Sequence, residues 1–272
     1  MPKKHFSGEV AFVTGSSRGI GFATARELAR QGATVVLNAR GQERLAQARQ
    51  TLEGEGLTVA AIRADVRSPE ACRDAIAEIV HRFGGLDILV NNAALMMSTR
   101  FETLGPEIYK SMVDVNLLGC MYATHFALPQ LKGRGGSLVF ISSLAALVGL
   151  PDFSVYCATK QALTGLASSL RCELKPDGVH VGVIYIAFTE NDPDKRMFGP
   201  GGSLIRPRRP PQLTQAEVGS KVAALIRRRR RQVVLTPFGK LVHLMMRVSP
   251  AFVENAIALI EYSGLRQRLG VD

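Results

Sequence analysis

Short apolar runs alternate along the chain with longer segments whose apolar positions recur at helical spacing. Val10 to Val13 is such a run, Ile20 to Gln31 has helical spacing and stops at Gly32, and Thr34 to Leu37 is apolar again. These segments predict a strand, a helix and a second strand. The unit recurs with Thr58 to Arg63, a helix over Pro69 to Phe83, and Leu86 to Val90 behind Gly84 and Gly85. Further strands are predicted at Ser137 to Ile141, Val179 to Tyr185 and Val233 to Leu235, with long helices at Pro106 to Leu131, Phe153 to Leu174 and Thr214 to Arg230. Strands that are apolar throughout, rather than alternating, are buried on both faces, which requires a parallel sheet covered by helices on each side. Right-handed crossovers then give an α/β, doubly wound, seven-stranded parallel sheet.

No internal repeat or long linker divides this pattern, so residues 1–272 are expected to form a single domain. One stretch is irregular. Residues 190–212, rich in Gly and Pro, follow the sixth predicted strand and are expected to form a substrate lid loop. Residues 237–272 form an apolar C-terminal extension. In it Leu241, Leu244, Met245 and Val248 have helical spacing, and Phe252, Val253, Ala256, Ile257 and Ile260 continue it after Pro250. Core packing or a dimer interface is the favoured reading of this tail. A peripheral membrane contact or a greasy substrate entrance is the sharper alternative, because arginines precede it.

Composition narrows the class. With 46% hydrophobic and 21% charged residues the chain is of the folded globular type. MPKKHFSGEVAFVTG lacks the apolar core and cleavage site of a secretory signal. Lys240, His243, Arg247 and Glu254 interrupt the greasiest segment before it reaches the ~18 apolar residues of a membrane span. Cys72, Cys120, Cys157 and Cys172 have no C-x-x-C spacing and read as reduced core residues of a cytoplasmic protein, with peripheral membrane association as the variant of that location. No histidine pair has metal-ligand spacing, so no metal is expected. The net charge is +11, concentrated in Arg206, Arg208, Arg209 and the run Arg227 to Arg231. A solvated helix end is favoured over nucleic-acid binding, since no aromatic interleaving accompanies the run.

Candidate chemistry begins directly after the first strand. In TGSSRGIG the glycines Gly15, Gly19 and Gly21, with Ser17, Arg18 and Ile20 among them, allow a tight turn that brings helix N-terminal amides to a pyrophosphate. The second strand ends in Leu37-Asn38-Ala39-Arg40, with no carboxylate to bind the adenosine ribose of NAD. Arg40, assisted by Arg18, suits the extra phosphate of NADP, so NADP(H) is favoured over NAD(H). Asp65, followed by Val66 at the end of the third strand, faces the adenine or caps the next helix. Tyr156 and Lys160 in SVYCATK stack on one helix face about 6 Å apart, a pair that is weak evidence by itself.

Together these motifs resemble the short-chain dehydrogenase/reductase superfamily. TGSSRGIG, Asp65-Val66, NNAA from Asn91 to Ala94, Asn116 in VDVNLLG, Ile141-Ser142-Ser143 and YCATK occur in that family's order and spacing, over about Glu9 to Thr189. The resemblance implies a Rossmann fold with strand order 3-2-1-4-5-6-7 and interconversion of a ketone and a secondary alcohol. It makes Tyr156 the general acid/base, Lys160 its activator, Ser143 the substrate-oxygen donor and Asn116 the holder of a relay water. It puts Asn92 and Ala93 beside the cofactor ribose, leaving Asn91 to brace the sheet. The long helices would pair into a homodimer or homotetramer.

A lysine one turn away and an oxidised nicotinamide are expected to lower the tyrosine from its free value near 10 by about 1 to 3 units. The chain departs from the family after the sixth strand: Ile186-Ala187 replaces the usual Pro-Gly and Asn191 replaces a threonine, for which Thr189 is a partial substitute. The tail resembles those of members that act on steroids, retinoids or other lipid carbonyls, so a bulky apolar substrate leads. A 3-oxoacyl thioester of fatty-acid synthesis is the alternative, its acidic carrier received by basic lid residues. A non-catalytic NADP-binding regulator is the third reading, against which the complete Asn116, Ser143, Tyr156 and Lys160 set counts.

Overall fold

Val10 to Val13 form strand β1 with every residue buried, as expected of a strand covered on both faces. The structure is a computed structural model that describes residues 5–190, 192–207 and 211–262. After β1 come α1 (Gly19–Arg30), β2 (Thr34–Ala39), α2 (Gln42–Gly54), β3 (Val59–Arg63), α3 (Pro69–Phe83) and β4 (Ile88–Asn91). Next are α4 (Pro106–Val113), α5 (Gly119–Arg134), β5 (Ser137–Ser143), α6 (Ser154–Glu173) and β6 (His180–Ile186). The chain continues through β7 (Met197–Phe198), β8 (Leu204–Ile205), α7 (Gln215–Arg227), β9 (Gln232–Val234), α8 (Pro237–Val248) and α9 (Pro250–Tyr262).

Seven strands pair in parallel in the order β3-β2-β1-β4-β5-β6-β9, a Rossmann-type sheet. One face buries Phe12, Leu89 and Phe140 against α3, α5 and α6, and the other buries Val13, Val90 and Ile184 against α1 and α7. The expected seventh strand is β9, because the irregular segment after β6 adds an antiparallel hairpin of its own, β7–β8. Strand order reverses between β1 and β4, and the crevice at the carboxyl ends of those strands is where such sheets bind ligands.

Local chemistry explains the sharpest boundaries. At α3, Ser68 Oγ accepts from Ala71 N at 3.0 Å, Pro69 occupies the first turn, and Gly84 closes the helix at φ 77°. Asp65 therefore does not cap this helix. The expected helix Pro106 to Leu131 is broken by a π-helical turn over Asp114–Leu118 that holds Asn116. One inserted residue leaves the apolar periodicity nearly intact, which hides the break from a sequence reading. At the end of α7, Arg229 donates to the carbonyls of Gly135 and Gly178, so one member of the arginine run bonds neighbouring loops. Arg208, Arg209, Asn191 and the end of the C-terminal extension lie outside the described residues.

The tail forms two helices; Val253 is buried, but much of the apolar stripe stays open to solvent. Phe238 is 62% exposed and Val248 73%, with Leu241, Leu244, Phe252 and Leu259 also open to solvent. The reason is visible at α8: Gly239 faces Leu144 and Val234, and His243 faces Tyr185, leaving Leu241, Leu244 and Val248 on the outer side. Among the described residues no helix is long and apolar enough to cross a membrane.

Candidate active site

Helix α6 runs beneath the carboxyl end of β5 and carries Tyr156 and Lys160 into the crevice. Lys160 is only 3% exposed, and its Nζ donates to Ile141 O at 2.9 Å, which fixes the ammonium 5.7 Å from the Tyr156 ring centroid. The Ser143 hydroxyl faces the Tyr156 phenol and lowers its pKa, and it accepts from Ala145 N at 3.2 Å. Ser142 instead aims its Oγ at the Lys160 carbonyl, 3.5 Å away, so Ser143 is the serine that meets Tyr156. Asn116 is fully buried, with Oδ1 accepting from Leu95 N at 2.7 Å and Nδ2 donating to Leu95 O and Thr159 Oγ1. Thr159 in turn donates to the Tyr156 carbonyl at 2.9 Å. The side chain of Asn116 thus braces the tyrosine's helix, and its backbone carbonyl meets Cys120 Sγ at 3.3 Å.

Burial dominates the electrostatics. It pushes the Tyr156 phenol up to about 12, against the lowering effect of Ser143. It also pushes Lys160 down to about 8, a shift that Cys120 opposes and Lys195 reinforces. The expected depression is that of the lysine and an oxidised nicotinamide acting together; in the protein alone, desolvation of the phenolate is the dominant effect.

One continuous cleft of about 1310 Å³ joins this centre to the glycine turn. Of the expected residues, Gly15, Ser17, Arg18, Gly19, Ile20, Gly21, Asn38, Arg40, Asp65, Val66, Asn92, Ala93, Ser143, Tyr156, Lys160 and Thr189 all line it, whereas Asn116 lies behind the wall. Several are held by the protein itself. Asn38 donates from Nδ2 to the carbonyls of Ile62 and Ala64, and Asn92 donates to those of Thr14 and Gly15. Asn91 braces the sheet through Thr124 Oγ1 at 3.0 Å. Thr189 donates to Ala187 O at 3.2 Å. Asp65 is gripped by Arg67 at 2.6 Å, and Arg67 and Arg40 hold its carboxyl below the usual range although burial alone would raise it. No described residue of α8 or α9 lines the cleft.

The residues fit a phosphate-bearing dinucleotide. The first turn of α1 has no side-chain cap and no acidic residue, leaving its amides for an anion. A Cβ on Gly15 would lie 2.9 Å from Ala93 Cα, and one on Gly21 would strike the Gly15 carbonyl and the Asn92 amide, so only glycine keeps the cradle open. Arg18 Nη1 is shielded from solvent without a hydrogen bond.

Residues 9–198 match the family model for short chain dehydrogenases. The chain belongs to the short-chain dehydrogenase family. This short-chain dehydrogenase is 40% identical over 182 residues to dehydrogenase/reductase SDR family member 4 of Pongo abelii, covering 65% of each chain. It is 39% identical over 188 residues to 11-beta-hydroxysteroid dehydrogenase-like 4A of Arabidopsis thaliana, covering 68% of this chain and 62% of that one. The match thus spans less than two thirds of these curated relatives. A short chain dehydrogenase from Burkholderia cenocepacia J2315, solved in complex with NADP, superimposes with a TM-score of 0.73 at 31% identity, covering 85% of this chain and 97% of that one.

Sequence reasoning did not single out Arg44, Arg67 and Lys195, which also line the dehydrogenase's cleft. For Arg44 and Arg67 a signal existed: each follows the carboxyl end of a strand, β2 and β3 respectively. Lys195 lay in a segment with no periodicity to orient it.

Proposed function

We propose that this dehydrogenase reduces a bulky apolar ketone with NADPH, holding the carbonyl oxygen between Ser143 and Tyr156. The observation that carries the reading is the mixed character of the cleft. Near Tyr156 its wall includes Met96, Leu144, Leu150, Phe153 and Met197, which suit an apolar substrate. At the other end it is cationic. Arg18, Arg40, Arg44 and Arg67 line that end, and Asp65 is engaged by Arg67. Arg40 has no ion-pair partner within 4 Å among the described residues, and β2 ends without a carboxylate, which supports NADP(H) over NAD(H).

The reduced nicotinamide would supply the hydride. The chain supplies the rest: Gly15, Gly19 and Gly21 hold the phosphates, Ser143 Oγ orients the substrate oxygen, and Tyr156 Oη delivers the proton. The runner-up, a 3-oxoacyl thioester, draws support from Lys195, Arg196 and Arg206 at the lid side of the cleft, where an acidic carrier would dock. A panel of hydrophobic ketones, steroids and 3-oxoacyl thioesters separates the two. Apolar ketones are expected to be turned over with NADPH preferred, and Arg40→Ala to erase about tenfold of that preference. Thioester turnover alone, or an unchanged NADPH/NADH ratio in the variant, would contradict the proposal.

The exposed stripe of α8 and α9, flanked by Lys240 and Arg247, supports a peripheral contact with anionic membrane and, as the second reading, a homodimer or homotetramer interface. Co-flotation with anionic liposomes at low salt, lost in Leu244→Glu, is the expected result. Flotation that ignores the substitution would remove the stripe from the contact.

A further inference from the structure

The lid segment places a cation inside the cofactor end of the cleft. Lys195 follows a turn closed by its own N–H to Asp192 O at 2.9 Å. Asp192 reaches Arg18 Nη1 at 3.9 Å, and Asp194 binds Arg44 Nη2 at 2.6 Å. Arg18 precedes α1 and Arg44 lies in the first turn of α2, so residues 192–195 are tied across the crevice at two points. Beside these ties Lys195 is half-buried and lines the cleft, and its ammonium has no hydrogen bond or ion pair within 4 Å among the described residues.

Its electrostatic surroundings are unfavourable. Burial and the neighbouring Arg18 hold Lys195 below the usual lysine range, with only Asp192 opposing them. Lys195 in turn helps to depress Lys160. Its charge is felt at the glycine turn on one side and at the catalytic lysine on the other. A partly desolvated cation held between two others gains most from an anion that arrives among them. In a nicotinamide dinucleotide, the anion that joins the adenosine and nicotinamide halves is the diphosphate.

We infer that Lys195 is a dinucleotide-binding residue whose ammonium pairs with the cofactor diphosphate and supplements the backbone amides of the glycine turn. The role needs only the nicotinamide dinucleotide, not the preference for NADP. It also gives the chain a phosphate contact in the segment where Ile186-Ala187 departs from the family's Pro-Gly.

Equilibrium titration of NADPH and NADH, followed by nicotinamide fluorescence, tests it in the wild type, Lys195→Met and Lys195→Arg. Lys195→Met is expected to weaken both cofactors by the same factor, about tenfold, and Lys195→Arg to stay within about threefold of wild type. The melting temperature without cofactor should be unchanged in both variants, since the ammonium holds no partner in the fold. Wild-type affinity in Lys195→Met would overturn the assignment. So would a loss confined to NADPH, which would put the lysine at the 2′-phosphate, or a loss of turnover on acidic substrates with cofactor binding intact. The wild-type NADPH/NADH ratio reports separately on the cofactor preference.

Discussion

Tyr156→Phe is expected to lower NADPH-dependent ketone reduction by about 10³-fold, within the range that general acid catalysis supplies. The NADPH dissociation constant should stay within about twofold of wild type. The two halves of this prediction come from different parts of the site. The phenol is buried beside Ser143, and with burial pushing it up to about 12 it carries its proton at neutral pH. It is therefore loaded as a donor to a ketone oxygen. The ring, which phenylalanine keeps, packs with Met97, Met112 and Phe153 and does not depend on the hydroxyl. Steady-state rates and a binding titration on the same preparation check it. Near-normal turnover in the variant would remove Tyr156 from the proton step.

Lys160→Met should cost about 10²-fold or more in reduction rate, and its pH dependence identifies the cause. Burial pushes Lys160 down to about 8, so its ammonium is fully present below that pH and is lost as pH rises through it. The charged form supports proton transfer from Tyr156 by favouring the phenolate that remains. Wild-type reduction should therefore be level towards neutrality and fall above pH about 8. Alcohol oxidation, which needs the tyrosine to accept a proton, should rise in the alkaline direction. In Lys160→Met the alkaline fall in reduction should disappear along with most of the rate. Rate profiles in both directions check this, and a fall that persists in the variant would belong to another group.

Much of the sheet was legible because burial on both faces leaves a signature in composition. Val10 to Val13 is apolar throughout, and Ser137 to Ile141 and Val179 to Tyr185 are nearly so, as strands covered on both faces of a parallel sheet are. The boundaries of α3 were legible for a local reason, since Ser68, Pro69 and Gly84 each have one favoured place at a helix end. The π turn at Asp114–Leu118 was not, because its cause is the tertiary pull of Leu95 and Thr159 on Asn116, outside any local window. The candidate site divides in the same way. Tyr156 and Lys160 could be placed from their spacing on one helix, but the balance of their charges depends on desolvation, which only the packed structure shows. The tail was legible as helices but not in the direction its apolar face takes. Helical spacing of Leu241, Leu244 and Val248 marks an apolar face, and it does not say whether that face turns towards the protein.

A crystal structure with NADP and an unreactive analogue of an apolar ketone would test the central claim most directly. The account predicts the analogue's oxygen within hydrogen-bonding distance of both Tyr156 Oη and Ser143 Oγ, its body against Met96, Leu150 and Phe153, and the adenosine 2′-phosphate on Arg40. An oxygen held elsewhere in the cleft, out of reach of Tyr156 and Ser143, would contradict it.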